Sequence, residues 1–94
     1  MKYTKQMGLT HADFFRLLPR AMGENTFEVN GHEVQANLAT GSLNISLGEQ
    51  RERKLSAHVV MPYADVTFDF NGVPEEVRLA FEQHFNLRFM RGLG

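Results

Sequence analysis

Between Phe27 and Phe70 apolar residues recur at alternate positions, and the alternation passes through successive turn signals without changing sides. This is the pattern of an antiparallel sheet with one buried face. On both flanks the spacing becomes helical. Phe14, Leu17, Leu18 and Ala21 recur at i, i+3, i+4 and i+7, which makes one apolar stripe. Thr10 is placed to cap this helix, with Asp13 three residues on as a short form of the capping-box acid. Pro19 cannot donate to the carbonyl of Phe15, so a break or kink is expected there, with a short terminal turn through Met22 and Gly23 as the stop. After the sheet, Pro74, Glu75 and Glu76 have the composition of a helix first turn. The stripe Val77, Ala80, Phe81, His84 and Phe85 then predicts a helix ending near Asn86.

Within the sheet, Asn30-Gly31 predicts a two-residue hairpin loop in which Val29 faces His32, Glu28 faces Glu33 and Phe27 faces Val34. Ala39 to Ser42 predicts the next turn, opposing Leu38 to Leu43 and Ala36 to Ile45. Gly48 to Lys54 reads as a charged connection without a defined register. Leu55, Ala57, Val59 and Met61 then resume the buried alternation, and Pro62 to Asp65 reads as a further turn. That turn would set Met61 against Val66 and place His58 opposite Asp69 on the exposed face.

The expected architecture is α+β and two-layered: a five-stranded antiparallel meander with an N-terminal and a C-terminal helix on one face, in the order α-β-β-β-β-β-α. Residues 1–94 are expected to form a single domain, with 1–8 and 91–94 as flexible ends. A chain of 94 residues with 43% hydrophobic and 22% charged residues has room for one such core and lies away from disordered compositions.

Charge changes the picture modestly. Lys2, Lys5, Arg16 and Arg20 make the first stretch basic, whereas Glu24, Glu28, Glu33, Glu49, Glu52, Asp65 and Asp69 make the sheet region acidic. An acidic sheet argues against nucleic acid, which requires several phosphates to be neutralised together. No apolar run reaches membrane-spanning length. The opening Met1 to Gly8 lacks a signal-peptide core, so a cytoplasmic location is expected. With no cysteine in the chain, thiolate chemistry is excluded. No phosphate-binding loop, dinucleotide fingerprint, nucleophile elbow, calcium loop or zinc-helix motif occurs; no cofactor or metal is expected.

Histidine is the remaining source of acid and base chemistry near neutral pH. His84 stands in an apolar stripe, where its ring must find a partner, and is the candidate polar contact for a ligand held between helices and sheet. His58 with Asp69 has the residue types of a base and its orienter, with Ser56 on the same strand face; this is a candidate catalytic pair. His11 and His32 suit solvated positions and carry no assigned role. The apolar residues Leu79, Leu87, Phe89, Met90 and Leu93 exceed what one buried stripe needs. They point to a non-catalytic module that binds a protein partner or a second copy of itself, with Arg16, Arg20, Phe89 and Met90 as candidate contact residues. A ligand-binding protein or enzyme using His84 is the alternative.

Overall fold

The capping box forms as its residues dictate. The Asp13 backbone N–H donates to Thr10 Oγ1 at 3.0 Å, and the Thr10 N–H donates back to Asp13 Oδ2 at 3.5 Å. Hydrogen bonding with Thr10, through side chain and backbone, and the nearby Arg16 hold the Asp13 carboxyl below the usual carboxylate range. In this computed structural model, which describes residues 1–93, the box opens α1 (His11–Met22), and Gly23 closes it at a φ of 62°. Pro19 lies inside α1 without ending it. A mid-helix proline costs about 3 kcal/mol. Leu18, Ala21 and Met22 beside it are buried, and burying each large side chain returns about 1.5–3 kcal/mol, so packing prevails over the expected break.

The remaining elements are β1 (Lys2–Met7), β2 (Thr26–Asn30), β3 (Glu33–Asn37), β4 (Ser42–Leu47), β5 (Arg51–Lys54), β6 (Val60–Asn71) and α2 (Glu75–Leu93). Five strands lie in the antiparallel order β1-β6-β4-β3-β2, and β5 pairs with β6 off this path. The protein is α+β, with helices and sheet meeting in one core. Val34, Ala36, Leu43, Ile45, Phe68 and Phe70 from the sheet pack with Phe14, Leu18, Phe81, Phe85 and Phe89 from the helices.

Several local expectations change. Asn30 pairs with Glu33, so the first loop is Gly31-His32. Gly31 has a φ of 62° and no non-glycine described residue has a positive φ, which suits a loop that opens on glycine. The register moves by two from that expected, Val29 facing Val34 and Glu28 facing Gln35. The next hairpin moves by two as well, pairing Ala36 with Leu43 and Val34 with Ile45. A shift of two leaves every side chain on its original face, so Val34, Ala36, Leu43 and Ile45 are buried as expected, whereas Val29 on the edge strand β2 is exposed.

The segment expected to be a flexible N-terminal end forms β1 and pairs with β6, Tyr3 opposite Phe68. It is anchored on α2. Tyr3 stacks on Phe68 at 5.3 Å between ring centroids and donates its hydroxyl to Glu82, which also accepts from Arg78 at 2.8 Å. Lys5 Nζ donates to Asn86 Oδ1 at 2.9 Å. Burial, then the Glu82 hydrogen bond and charge, raise the Tyr3 pKa, against a smaller lowering by Arg78. Asn86 does not stop α2. Of the expected flexible end 91–94, residues 91–93 continue this helix, and Gly94 lies outside the described residues. Gly92 is one point of close approach between the two helices: a Cβ there would lie 2.2 Å from Leu17 Cδ2.

The largest departure is at residues 55–66. Pro62 to Asp65 is no turn but part of a twelve-residue β6. Its half from Ala64 to Asn71 is paired by β1 and β4, while Val60 to Tyr63 has only β5 beside it. Gly48 to Lys54 therefore contains a strand. Leu55, Ala57, Val59 and Met61, expected in the core, are exposed.

Candidate functional site

Two features remain after the core is accounted for: a cleft at one end of the helix layer and a projecting β arm at the other side of the sheet.

The cleft has a volume of about 690 Å³ and lies between the end of α1, the β3–β4 loop and the first half of α2, within the size range of small-ligand sites. Met22, Leu38, Val77, Ala80 and Phe81 supply its apolar lining, and Glu24, Asn25, Glu76 and His84 its polar lining. His84 is half-buried here rather than enclosed in the core. Its Nε2 lies 3.0 Å from the Arg20 carbonyl oxygen. A carbonyl only accepts, so Nε2 carries the hydrogen, and in the neutral ring Nδ1 keeps a free lone pair. The bond also serves α1, whose last carbonyls need donors. Arg20 O additionally receives the Gly23 N–H at 3.2 Å, and Met22 O receives the Asn25 N–H at 3.1 Å and Asn25 Nδ2 at 2.8 Å. His84 is thus at once a cap and part of a cleft wall.

The arm is the hairpin made by β5, the loop 55–59 and the first four residues of β6. Leu55 N–H donates to Val59 O at 2.8 Å to close its tip. Arg53 lies over the Tyr63 ring at 5.0 Å and donates to Gln6 Oε1 at 2.8 Å, which ties the arm's base to β1. Beyond that base nothing covers it. Leu55, Val59, Val60 and Met61 are 59%, 46%, 49% and 46% exposed, although hydrophobic residues of this size are usually removed from water. The overall dimensions register the projection. The accessible surface is 5985 Å², against about 5,500 Å² for a compact monomer of 10.7 kDa. The radius of gyration is 13.8 Å, against about 12.4 Å for a compact domain of this length.

The candidates read from sequence fall unevenly on these features. His58 is in the arm tip, with its N–H on Ser56 Oγ at 3.4 Å, whereas Asp69 faces Asn44 and Lys2 in the sheet. Val60 and Asp69 are nine residues apart on one strand, about 30 Å at 3.3 Å per residue. The expected catalytic pair is therefore not assembled, because the turn that would have folded one onto the other does not exist. Phe89 is also corrected: it is buried against Phe14 and Phe85, at 5.3 and 4.6 Å between ring centroids. Met90 is exposed, as are Arg16 and Arg20. Arg16 is engaged with Asp13 at 3.3 Å.

Met90 joins Leu79 and Leu93 on the outer side of α2. At 100° per residue these three lie within about 60° of arc, and all are exposed. No local spacing predicts that His11 and His32 meet. Their rings lie 4.5 Å apart between centroids, brought together by the β2–β3 loop beneath the start of α1, and His11 Nε2–H donates to Gly48 O at 2.7 Å. Among the described residues no three His, Cys, Asp or Glu groups gather as metal ligands, and no helix is long and apolar enough to cross a membrane. Comparison with protein-family models, curated proteins and solved structures finds no match.

Proposed function

We propose that the protein is a non-catalytic interaction module that binds a protein partner, a second copy of itself included, through the apolar tip of the β5–β6 arm. The observation that carries this reading is the exposure of Leu55, Val59, Val60 and Met61 together on one projecting hairpin. Apolar strands left uncovered promote uncontrolled association, and here the edge strand β5 is guarded by Arg51, Glu52, Arg53 and Lys54 while the tip is not. The outer ridge of α2 at Leu79, Met90 and Leu93 supplies a second apolar surface for the same kind of contact. A cytoplasmic setting belongs to this reading, and fractionation of cells carrying a tagged copy tests it.

Sedimentation over a concentration series, with and without mild crosslinking, tests the role of the arm. The double variant Leu55→Ser/Val59→Ser is expected to keep its fold and lose self-association or a stoichiometric partner. A variant that retains both overturns the reading.

A second reading, a small-ligand binder with His84 as polar contact, is supported by the cleft and its half-buried imidazole.

A further inference from the structure

The polar side chains around the cleft share one property. The neutral His84 ring commits its one N–H to Arg20 O, which leaves Nδ1 as an acceptor. Asn25 has turned one Nδ2–H to Met22 O, which leaves Oδ1 as an acceptor beside the second Nδ2–H. Among the described residues Glu24 and Glu76 are the only charged side chains in the lining, and ionised carboxylates only accept. The end of α1 also borders the cleft, and a helix C-terminus favours positive charge. The opposing dipole, from the first turn of α2, is already answered by that turn's own Glu75 and Glu76.

From this we infer that the cleft is a site for a small organic amine: an apolar body seated on Met22, Leu38, Val77, Ala80 and Phe81, with a protonated amino group held at the acceptor-lined rim. An ammonium supplies three donors and a positive charge where the side chains offer acceptors and negative charge. A carboxylate or phosphate would meet two like charges, with the second Asn25 Nδ2–H as the side-chain donor left to answer it. This inference rests on the second reading above and gives it a ligand class.

The test is a titration of the intact protein with phenylbutylamine, phenylbutanol and phenylbutanoate, which share a body and differ in the head group, followed by amide chemical shifts and thermal stability. The amine is expected to bind about tenfold more tightly than the alcohol, a difference of about 1.4 kcal/mol and the scale of two partly exposed ion pairs. The acid is expected to bind weakest, and added salt should reduce the amine's advantage. Glu24→Gln/Glu76→Gln should bring amine and alcohol together. Ala80→Trp, at an exposed helix position, should abolish binding of all three while circular dichroism stays unchanged. Equal binding of amine and alcohol to the wild type leaves a ligand cleft but overturns the amine assignment, as does preference for the acid. Failure of all three to bind, or binding that survives Ala80→Trp, overturns the ligand-cleft reading as well.

Discussion

β6 is one strand with two environments. From Ala64 to Asn71 it is paired by β1, β4 or, over Val66 to Asp69, both, and sends Ala64, Val66, Phe68 and Phe70 into the core. From Val60 to Tyr63 it has β5 alone, and Val60 is exposed although it stands on the same side of the strand as Ala64, Val66, Phe68 and Phe70. The difference teaches that period two reports which residues share a side of a strand, not whether anything stands opposite. In the core half, apolar residues hold the fold together. In the arm they are available for a contact beyond the chain.

Paired truncations test that contrast most directly. Phe68→Ala should destabilise the protein by about 3–5 kcal/mol through lost burial and a cavity, whereas Met61→Ala should change stability by no more than about 0.5 kcal/mol; urea unfolding measures both. A large loss at Met61 would mean that the arm is packed in solution. The next effect belongs to the closed end of the core half, where a Cβ on Gly41, at a φ of +86°, would lie 2.4 Å from Gly72 O. Gly41→Ala should cost roughly 1–3 kcal/mol in the same assay. His84→Phe removes the donor to Arg20 O and should cost about 1 kcal/mol.

A smaller effect separates the core half by pH. The folded Tyr3 pKa lies above its unfolded value of about 10. Its contribution is therefore fully present below that value and lost as pH rises through the folded value. The stability difference between wild type and Tyr3→Phe should shrink over that alkaline range in urea titrations, and a constant difference would separate the Tyr3–Glu82 contact from protonation.

Much of the fold was legible because the relevant signals are local. Thr10 and Asp13 announce α1, Gly31 and Gly41 mark the two hairpins, and faces survived register errors because both errors were of two residues. β1 was missed since its inward positions are Tyr3, Lys5 and Met7, and Lys5 disguises the stripe by reaching Asn86 across the layer. Pro62 suggested a turn, yet it stands where β6 has a neighbour on one side only, so a missing N–H is least costly there. The cleft was legible only as far as His84 was an odd member of an apolar stripe. Its walls come from α1, the β3–β4 loop and α2, a conjunction no local spacing encodes. Phe89 misled for the opposite reason: α2 runs past Asn86, which carries Phe89 into the core.

The continuity of β6 also has a mechanical consequence. A partner that pulls along the arm loads a strand held between β1 and β4, so the force is shared as shear across two ladders. Bonds loaded in shear must yield together, whereas bonds peeled from an edge yield in turn. β5, secured on one side, would peel away first. The arm would thus act as a tether with a weak outer strand and a firmly rooted inner one.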